Sequence, residues 1–485
     1  MSEAFDAAQS ALIVIDMQND FLAEGGAYPR RHCDAGQLAQ AVAWLARAAR
    51  AQGRPIAWVG SVYGEIAGDE GALRGQTHVG GPCCARGSWG AEPFAPLGAV
   101  AAEGAGRPAE WRVEKRWYSA FRETGLDGRL RAAGVRRVVL CGVATNVCVL
   151  AAARDALGLG YEVEVLADAT AAGTSSKHAR ALAEIEALGG RVRRWGELLD
   201  EGAAPVWVGG VGAGGSGLWC GALRGSLPDD AFGAVEREVA WGAMSHRGGE
   251  VPRLVAVQGE RSADGVEPLY RHPVDEQPPL GDFTPAVDAI RREVERRVGH
   301  PLNHCLLQLY RGGRDWISEH SDKTLDLARP STIINVSLGR MRTMVLKPKR
   351  EAAGAAAQKL PLPHGSFLVM DLATNRDYYH AIRQEGEGGG PRISLTFRHI
   401  GTFFHPPSGA VWGVGAPSRG RAEAEARARA RAALAPEARE AAERAEAEQM
   451  LKLFREENID PGFDAASYRP GFEAINFRTL RQGAP

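Results

Sequence analysis

Short apolar runs alternate with amphipathic stretches over residues 11–200. Residues 11–15 (ALIVI) form an uninterrupted apolar run, which is typical of a strand buried on both faces of a parallel sheet. Similar runs follow at 55–59, 138–141 and 162–166, and helical stretches lie at 37–52, 149–159 and 176–188. This alternation of strands and helices predicts an α/β fold with a doubly wound parallel sheet.

The hydrophobic pattern changes beyond residue 220. Short strand-like runs, separated by glycine and proline turns, lie at 253–257, 305–310, 333–338, 343–346, 366–370 and 393–397. Many short strands of this kind are typical of an all-β domain. They predict a double-stranded β-helix, or jelly-roll barrel.

Changes in composition set the expected domain boundaries. Residues 208–217 are dense in glycine, so we expect a glycine-rich flexible linker at 203–220. This linker would join an N-terminal domain, 1–202, to a second domain, 221–405.

The last segment, 406–485, is expected to be a charged helical tail followed by a C-terminal arm. Residues 421–433 are rich in Ala, Arg and Glu and lack an apolar stripe, which indicates a solvated or disordered helix. Four aromatic residues are spaced along the end of the chain: Phe463, Tyr468, Phe472 and Phe477. Their spacing predicts an arm that packs on the body of the protein.

Charge and cysteine content exclude several classes of protein. The 485-residue chain has a formal net charge of −1, so no global charge predicts binding to nucleic acid or to an acidic membrane surface. Its seven cysteines are scattered, which suits a reducing compartment better than a disulfide framework. There is no basic leader and no apolar run long enough to span a bilayer. We therefore expect a soluble protein of the cytoplasm or nucleus without membrane contact.

Three residues of the N-terminal half have the chemistry of a cysteine hydrolase. Asp16 ends the first strand, Lys115 lies in the sequence VEKRWYSAF, and Cys148 follows a strand at a helix start. The carboxyl ends of strands face the ligand crevice in an open α/β sheet. A helix N-terminus and a lysine both lower a thiol pKa, and a nearby carboxylate can take the proton.

These residues, in this order and context, resemble the isochorismatase-like cysteine hydrolases over about residues 10–200. The resemblance implies that Asp16 is the base, Cys148 the nucleophile and Lys115 the electrostatic support. It also implies an oxyanion hole formed by the backbone N–H groups of Ala144 and Cys148, with a cis peptide between Val143 and Ala144.

The sequence departs from the nicotinamidase-type members of that family. Those members carry an Asp-x-His metal motif after the second strand, where this chain has Gly60-Ser61-Val62-Tyr63. We therefore expect no metal in the N-terminal domain. Cys148 favours covalent hydrolysis of a small amide-like or carbamoyl substrate, and the domain offers a possible site of oligomerisation.

A different constellation lies in the second half of the chain. His320-Ser-Asp322 is followed much later by His380. Two imidazoles and one carboxylate suit Fe(II), and three protein ligands leave positions for a co-substrate and oxygen. Arg392 and Arg398 lie six residues apart, so on a strand they share one face.

This second constellation and its flanking motifs resemble the AlkB-like Fe(II)/2-oxoglutarate dioxygenases over about residues 221–405. The flanking motifs are NHCLLQLYRGGRDWISEHSD (303–322), LPHGS (362–366) and PRISLTFR (391–398). The resemblance implies that His320, Asp322 and His380 bind iron. It implies further that Arg392 and Tyr310 hold the far carboxylate of 2-oxoglutarate, and that Arg398 braces Asp322 or the carboxylate next to the metal.

The substrate is less defined. The family's Asn-x-Tyr motif is Gln308-Leu-Tyr310 here, and Thr324 stands where base-repairing members carry an acid that meets a cationic methylated base. The predicted lid comprises 248–253 and 270–272, within which Tyr270 or His272 could stack on a flipped base or pack on the barrel. Asp326 is another acid that could take the role absent at 324.

Two functional interpretations follow from the sequence. The first is a bifunctional fusion enzyme, in which a cysteine hydrolase precedes an oxygenase that hydroxylates or demethylates a methylated substrate, such as single-stranded DNA or RNA in DNA repair. The second keeps the oxygenase with a protein or small-molecule substrate and makes the N-terminal domain a docking or oligomerisation module. The intact set of Asp16, Lys115 and Cys148 argues against a non-catalytic N-terminal domain.

Overall fold

The computed structural model describes residues 9–28, 32–63, 77–78, 81–199, 205–223, 226–227, 230–246, 249–273, 278–350, 357–385 and 390–480. The chain divides into two compact units, Met1–Val208 and Gly209–Pro485. Residues 203 and 204 of the predicted linker and Gly248 of the predicted lid lie outside the described residues. No helix in the described ranges is both long enough and apolar enough to cross a membrane.

The first unit is built around a parallel sheet. Its strands are β1 (Ser10–Ile15), β2 (Ile56–Ser61), β3 (Thr77–His78), β4 (Gly81–Pro82), β5 (Glu110–Lys115), β6 (Arg137–Val143), β7 (Glu162–Ala171) and β8 (Arg191–Arg193). Six of them form one sheet in the order β5-β2-β1-β6-β7-β8, with every neighbouring pair parallel. The predicted parallel α/β sheet is confirmed.

Helices connect these strands, as the apolar periodicity requires. They are α1 (Asn19–Leu22), α2 (Ala35–Ala51), α3 (Ala95–Glu103), α4 (Leu126–Ala132), α5 (Leu150–Gly158), α6 (Ser175–Ala187) and α7 (Trp195–Leu199). The Asp34 side chain caps α2 by accepting a hydrogen bond from the Gln37 N–H at 2.7 Å, and Asp and Asn are favoured at this position. All six residues of β1 are buried, as expected for a central parallel strand.

Strand order directs the ends of three strands to one edge of the sheet. The chain passes from β1 to β2 and β5 on one side of the sheet, and then crosses back to β6 on the other side of β1. At such a reversal the carboxyl ends of the strands border a crevice, where α/β proteins bind their ligands. Asp16 follows β1, Lys115 ends β5, and Cys148 follows β6 after a short turn.

The second unit contains mainly antiparallel strands. They are β9 (Val206–Gly209), β10 (Gly217–Cys220), β11 (Ser245–His246), β12 (Gly249–Glu250), β13 (Leu254–Gly259), β14 (Glu267–Pro268), β15 (Leu280–Asp282), β16 (His304–Tyr310), β17 (Ile317–His320), β18 (Ile333–Gly339), β19 (Arg342–Pro348), β20 (Gln358–Leu362), β21 (Ser366–Met370), β22 (Tyr378–Ile382), β23 (Arg392–Arg398), β24 (Thr402–His405) and β25 (Ala410–Gly413). Its helices are α8 (Ala231–Glu238), α9 (Pro285–Val298), α10 (Leu372–Asp377), α11 (Arg421–Ala432) and α12 (Pro436–Ile459).

Two sheets carry five of the predicted site residues of this unit: Tyr310, His320, His380, Arg392 and Arg398. The larger has eight strands in the order β15-β13-β16-β23-β18-β21-β10-β9, and the smaller has four in the order β17-β22-β19-β20. Apolar side chains from β16, β18 and β23 form the main core together with α8 and α9. A further three-stranded sheet has the order β14-β24-β25.

The glycine-rich segment is not a flexible linker over residues 206–220. β10 pairs with β21, and the N–H groups of Gly212 and Gly215 donate to the side chains of Gln358 and Asp371. Gly212 has a φ of +61°, a conformation that glycine adopts without steric cost. The glycines therefore shape a tight turn at the sheet edge, which composition alone does not distinguish from a linker.

The C-terminal segment packs on the second unit. Residues of α12 and of the following chain form an apolar cluster with Leu325, which includes Met450, Phe454, Tyr468, Phe472 and Phe477. Arg271 donates to the backbone oxygens of Phe472 and Ala474. The aromatic spacing at the chain end thus corresponds to a packed arm.

Candidate active sites

The carboxylate of Asp16 lies at the end of β1 in an unusual backbone conformation. Its φ is +49°, in the left-handed region that residues other than glycine rarely occupy. Asp16 is almost fully buried, and its N–H donates to the oxygen of Val59 at 2.8 Å. Strained residues of this kind concentrate at functional sites.

Lys115 joins the other polar groups at this edge of the sheet. Its Nζ lies 2.8 Å from Oδ2 of Asp16 and donates to Oγ of Ser61 at 2.8 Å. The same nitrogen is 3.5 Å from Sγ of Cys148. The structure therefore brings Asp16, Lys115 and Cys148 together.

Electrostatics keep the thiol protonated in the resting site. Burial raises the pKa of Cys148, and the charge of Asp16 raises it further, while Lys115 lowers it by less. Lys115 lowers this pKa, as expected, but burial and the charge of Asp16 raise it by more, so the net shift of the Cys148 pKa is upward. Burial alone would lower the pKa of Lys115, but the charge of Asp16 raises it, so the ammonium stays charged beside the carboxylate.

Cys148 lies in a tight turn between β6 and α5. Residues Thr145–Val149 form a π-helical turn directly after the strand. The peptide between Val143 and Ala144 is cis, as predicted. The Ala144 oxygen accepts hydrogen bonds from the N–H groups of Val147 and Val149, which fixes the turn that presents the thiol.

Ser61 is a site residue whose role sequence reasoning missed. Its Oγ donates to Oδ1 of Asp16 at 2.9 Å and accepts from Lys115, so it links the two charged groups. The Gln18 side chain holds the Ser61 backbone by accepting from its N–H and donating to its oxygen. The signal available in the sequence was that Ser61 lies in the stretch, Gly60–Tyr63, where nicotinamidase-type proteins carry their metal motif.

A second group of potential metal ligands lies in this unit. Asp20, Cys83 and Cys84 have side-chain ligand atoms within 4.8 Å of one another. Oδ2 of Asp20 accepts from the Cys84 N–H at 2.6 Å, and Oδ1 accepts from the Ala27 N–H at 3.1 Å. These bonds give Asp20 a structural role, and the absence of a metal from the N-terminal domain stays a prediction.

The second site begins with two histidines on neighbouring strands. His320 in β17 pairs directly with His380 in β22. Their Nε2 atoms lie 4.0 and 3.9 Å from Oδ1 of Asp322. Ligand atoms of all three residues lie within 4.8 Å of one another, so the structure brings together the predicted metal ligands.

Hydrogen bonds orient two of these three groups. Nδ1 of His320 lies 2.8 Å from the Ser318 oxygen and donates to it, which leaves Nε2 free to accept. Oδ2 of Asp322 accepts two hydrogen bonds from Arg398, at 3.2 and 2.7 Å, and Oδ1 therefore faces the imidazoles. Partners that fix the ligands in this way are typical of metal sites.

The pKa shifts keep His320, Asp322 and His380 in the protonation states that bind a metal. Burial opposes ionisation of Asp322, but the charge of Arg398 holds the pKa of this carboxyl well below its usual range. Burial lowers the pKa of His320, and it lowers that of His380 to about 3. Neutral imidazoles and an ionised carboxylate are the forms that coordinate metals.

A second buried arginine begins β23 in the larger sheet. Arg392 is fully buried, and its Nε and Nη2 donate to Ser337 and Asn335 at 2.8 and 3.2 Å. Nη1 is buried without a hydrogen-bond partner among the described residues. Burial lowers the pKa of Arg392 to about 10, so at neutral pH a charged guanidinium has an unused donor.

Tyr310 and Gln308 flank this arginine. Tyr310 pairs with Arg392 across β16 and β23, and its hydroxyl donates to Oε1 of Gln308 at 3.2 Å. The longer amide that replaces the family's Asn thus contacts the tyrosine. Both residues face the same cavity as Arg392.

One cavity of about 920 Å³ contains the metal-ligand set and the arginine. Its walls are mostly apolar, with Met244, Leu306, Ile333, Met370 and Ile382 among them. Among the described residues that line it, Asp322 is the only acid, whereas five are Arg or Lys: Arg253, Lys323, Arg392, Arg398 and Arg455. The cavity is therefore positively charged before any co-substrate binds.

The two aromatic residues predicted to contact substrate have different surroundings. The Tyr270 ring lies under the guanidinium of Arg398, 4.4 Å from ring centre to carbon, and its hydroxyl accepts from the Lys323 N–H. His272 stacks on Tyr270 at 5.4 Å, and both of its ring nitrogens lack partners among the described residues. His272 is thus the freer of the two to contact a ligand.

The two groups considered for base recognition do not face the cavity. The Thr324 hydroxyl and N–H both donate to Oε1 of Glu457 in α12, and Thr324 is absent from the described cavity lining. Asp326 is buried and accepts from the Nε and Nη2 of Arg271. Neither residue is placed to meet a bound base, because hydrogen bonds within the protein hold both.

The C-terminal helix is the feature of this site that sequence reasoning missed. Leu451, Phe454, Arg455, Asn458 and Ile459 of α12 line the cavity. The amphipathic run at 450–454 was the available signal. This run predicts that one face of the helix packs on the protein. Which segment it packs against depends on contacts between residues far apart in the sequence.

Comparison with known proteins agrees with the division into two units. The isochorismatase domain model matches residues 10–197, and the 2OG-Fe(II) oxygenase superfamily model matches residues 222–398. The chain thus joins two kinds of enzyme domain, an isochorismatase domain and a 2OG-Fe(II) oxygenase domain.

Individual relatives are similar to one part of the chain each. The alpha-ketoglutarate-dependent dioxygenase alkB homolog 3 of Bos taurus is 32% identical over 38% of this chain and 64% of its own length. The DNA oxidative demethylase ALKBH2 of Homo sapiens is 32% identical over 36% of this chain and 68% of its own length. The ureidoacrylate amidohydrolase RutB of Methylobacterium radiotolerans is 37% identical over 39% of this chain and 78% of its own length. The chain spans less than two thirds of the bovine relative.

These matches and the two sites define the family. The chain belongs to the isochorismatase-like hydrolases through its first unit and to the AlkB-like 2OG-Fe(II) oxygenases through its second.

Proposed function

We propose that the chain is a bifunctional enzyme, with a cysteine hydrolase at residues 1–202 and an Fe(II)/2-oxoglutarate-dependent dioxygenase at residues 221–405. The observation that carries the oxygenase proposal is the arrangement of His320, Asp322 and His380 around one point in a cavity. We also propose that the eight- and four-stranded sheets form the jelly-roll barrel of such an oxygenase. The segment 406–485 completes the cavity wall.

The donor set fits the iron that this family uses. Two imidazoles and one carboxylate oxygen suit Fe(II) and leave positions for co-substrate and oxygen. When bound, the iron would allow O₂ to oxidise 2-oxoglutarate to succinate and CO₂ and to convert a substrate C–H bond to an alcohol. Arg398 would keep Oδ1 of Asp322 directed at the metal by holding Oδ2.

The buried arginine fits the far carboxylate of 2-oxoglutarate. Arg392 has a buried Nη1 without a partner among the described residues, and a guanidinium presents parallel donors that match a carboxylate. The Tyr310 hydroxyl, which donates to Gln308 in the structure, would supply a second donor by turning its single proton to that carboxylate. The apolar walls exclude water from the reacting groups.

We propose that the oxygenase substrate is a methylated nucleic acid with a neutral base. The relatives include a DNA oxidative demethylase, and hydroxylation of an N-methyl group gives a product that loses formaldehyde. A cationic base would find no carboxylate in the described lining other than the metal ligand Asp322. His272, with its partner-free nitrogens and ring stacked on Tyr270, would contact the base.

The hydrolase proposal rests on the contacts among Cys148, Lys115 and Asp16. The Cys148 thiol is protonated at rest, so Asp16 would accept its proton as Sγ attacks the carbonyl carbon of an amide. The carbon–nitrogen bond then breaks, Asp16 returns the proton to the leaving amine, and water hydrolyses the thioester. Lys115 would stay charged and stabilise the thiolate as it forms.

Backbone N–H groups of Ala144 and Cys148 would bind the oxyanion in the tetrahedral intermediate. The turn that follows β6 supports this assignment, because it presents both residues at the sheet edge. A small amide-like or ureido substrate suits the likeness to an amidohydrolase.

Turnover of 2-oxoglutarate tests the oxygenase proposal. Succinate and formaldehyde would be measured with methylated single-stranded DNA, RNA, nucleosides, peptides and small molecules, for the unmodified protein and for Asp322→Ala. We expect Asp322-dependent formaldehyde release from a neutral methylated base. Substrate-coupled turnover with peptides or small molecules alone would contradict the nucleic-acid proposal and support the alternative substrate class.

Ammonia release tests the hydrolase. A panel of primary amides, carbamates and ureido acids would be compared for the unmodified protein and Cys148→Ser. We expect release that Cys148→Ser abolishes. Release that survives this substitution would contradict a covalent mechanism, and no release from any compound would favour a docking module.

A further inference from the structure

The C-terminal helix α12 forms one wall of the oxygenase cavity. Arg455, Asn458 and Ile459 follow Leu451 by four, seven and eight residues, so the four residues share one helix face. This face lines the cavity, whereas Lys452 on the same helix does not.

The wall is attached to the metal-ligand segment by direct hydrogen bonds. Oδ1 of Asn458 accepts from the N–H and the hydroxyl of Ser321, at 3.0 and 3.2 Å, and from Nζ of Lys323 at 3.3 Å. Ser321 lies between two of the metal ligands, His320 at the end of β17 and Asp322 just after that strand. The position of α12 is therefore fixed relative to the site of chemistry.

Arg455 is the charged residue that this wall presents. It is exposed, and its guanidinium has no ion pair or hydrogen bond among the described residues. Trp316 and Ile459 line the same cavity with 38% and 65% of their surface exposed. An unpaired cation next to exposed apolar side chains is arranged for a ligand that combines a flat apolar group with an anion.

The charge of the cavity favours the same class of ligand. Arg398 is held by Asp322, and Arg392 would be neutralised by 2-oxoglutarate. Arg455, Arg253 and Lys323 then remain as positive charges in the described lining. The charges of Glu457 and Asp315, which lie outside the lining, act on Lys323 and Arg253.

We propose that α12 selects the oxygenase substrate, with Arg455 binding a backbone phosphate of the nucleic acid whose base enters the cavity. The proposal rests on the proposed oxygenase function and adds the residue that recognises the anion. A phosphate neighbouring the methylated nucleotide contacts Arg455, while the base lies against the apolar walls. The segment beyond residue 405 is then part of the substrate site.

The test compares Arg455→Gln with Lys452→Gln, which removes the same charge from a part of α12 outside the cavity. The substrates are a short single-stranded oligonucleotide with one N3-methylated thymine and the corresponding free nucleoside. Loss of one charge-assisted contact corresponds to roughly ten- to hundredfold in binding. We expect Arg455→Gln to raise KM for the oligonucleotide by about tenfold or more and to leave KM for the nucleoside unchanged.

Salt dependence gives a second readout that a purely structural role would not change. The slope of log KM against log salt for the oligonucleotide should fall by about one with Arg455→Gln and should be unaltered by Lys452→Gln. Equal effects of Arg455→Gln on oligonucleotide and nucleoside, or equal effects of the two substitutions, would overturn the phosphate assignment.

Direct binding separates this proposal from the reaction itself. Fluorescence anisotropy would follow an unmethylated labelled oligonucleotide with protein loaded with Mn(II) and 2-oxoglutarate under anaerobic conditions. Binding that depends on Arg455 supports the subsite even if no nucleic acid is demethylated, in which case only the proposed reaction fails. Absent binding, or binding independent of Arg455, overturns the subsite.

Discussion

Arg398 donates two hydrogen bonds to a single oxygen of Asp322, at 3.2 Å from Nε and 2.7 Å from Nη2. This relationship leaves Oδ1 of Asp322 to the two imidazoles. It also explains how an ionised carboxylate is stable in a buried position, since Arg398 provides its countercharge. The six-residue spacing of Arg392 and Arg398 on β23 places one guanidinium at the metal ligands and the other deeper in the same cavity.

Arg398→Lys should weaken metal binding. Lysine keeps the charge but cannot hold Oδ2 with two parallel donors, and loss of such an orienting partner typically costs ten- to a hundredfold in metal affinity. The measurement is the Mn(II) dissociation constant. Arg392→Lys is the matched control and should instead raise KM for 2-oxoglutarate, with metal affinity within about twofold. Identical effects of the two substitutions would contradict this division of roles.

The two active sites should be separable by single substitutions. Asp322→Ala should abolish succinate formation and leave ammonia release intact, whereas Cys148→Ser should do the reverse. The reason is that each site is complete within its own set of residues. Circular dichroism and melting curves would control for folding. Loss of both activities in either variant with the fold intact would refute two independent sites.

Ser61 should contribute to the hydrolase reaction through Asp16 and Lys115. Ser61→Ala removes the donor to Oδ1 of Asp16 and the acceptor for Lys115. We expect kcat to fall by about tenfold or more, since one lost hydrogen bond to a charged group costs about 1.5–3 kcal/mol. Ser61→Thr retains the hydroxyl and should keep most of the activity. A shift of the pH–rate profile with Ser61→Ala, absent from Ser61→Thr, would show that the hydroxyl acts on the base.

The sequence was sufficient for residues whose partners lie on neighbouring strands. His320 and His380, for example, have motif signals strong enough to predict their meeting, and β-pairing then places them opposite each other. It was insufficient where burial or distant segments decide the outcome. The direction of the pKa shift of Cys148 depends on how completely the fold excludes water from the thiol.

The glycine-rich turn and helix α12 illustrate the same limit. Gly212 and Gly215 have positions fixed by hydrogen bonds to side chains about 150 residues away. Glu457 contacts Thr324 across 133 residues. Local composition contains no information on such partners. It therefore predicts a linker where the structure has a turn, and a tail where the structure has a cavity wall.

Acid should destabilise the oxygenase unit partly through His272. Burial, followed by the charge of Arg398, lowers its pKa to about 4 in the folded protein, against about 6.5 when unfolded. Between these values the unfolded chain binds a proton that the folded chain does not, so stability falls as pH falls. The effect is at most about 1.4 kcal/mol per pH unit.

The measurement is the melting temperature of the oxygenase unit between pH 7 and 5. The transition of this unit is the one whose melting temperature rises when Mn(II) and 2-oxoglutarate are added, since ligands stabilise the state that binds them. His272→Phe retains an aromatic ring that does not titrate. We expect its melting temperature to fall less steeply with acid than that of the unmodified protein. Parallel slopes would show that His272 is protonated without cost in the folded state.

Thr324→Asp tests the contact between the metal-ligand segment and α12. From sequence alone, an acid at 324 would be expected to favour cationic bases. In the structure, however, Thr324 donates two hydrogen bonds to Oε1 of Glu457, whose other oxygen accepts from Tyr468. An aspartate would place a second carboxylate against the first in a buried position and remove a donor, at a cost of at least about 1–3 kcal/mol.

We therefore expect Thr324→Asp to lower the melting temperature of the oxygenase transition and to reduce turnover without a gain for cationic bases. Adding Glu457→Gln should recover much of the stability, because it removes the repulsion between carboxylates, and Thr324→Ser should behave like the unmodified protein. A stable Thr324→Asp variant that turns over 1-methyladenine faster, relative to N3-methylated thymine, would mean that residue 324 faces the substrate. In that case α12 would not be held by Thr324, and its attachment to the metal-ligand segment would depend on Asn458, which accepts from Ser321 and Lys323.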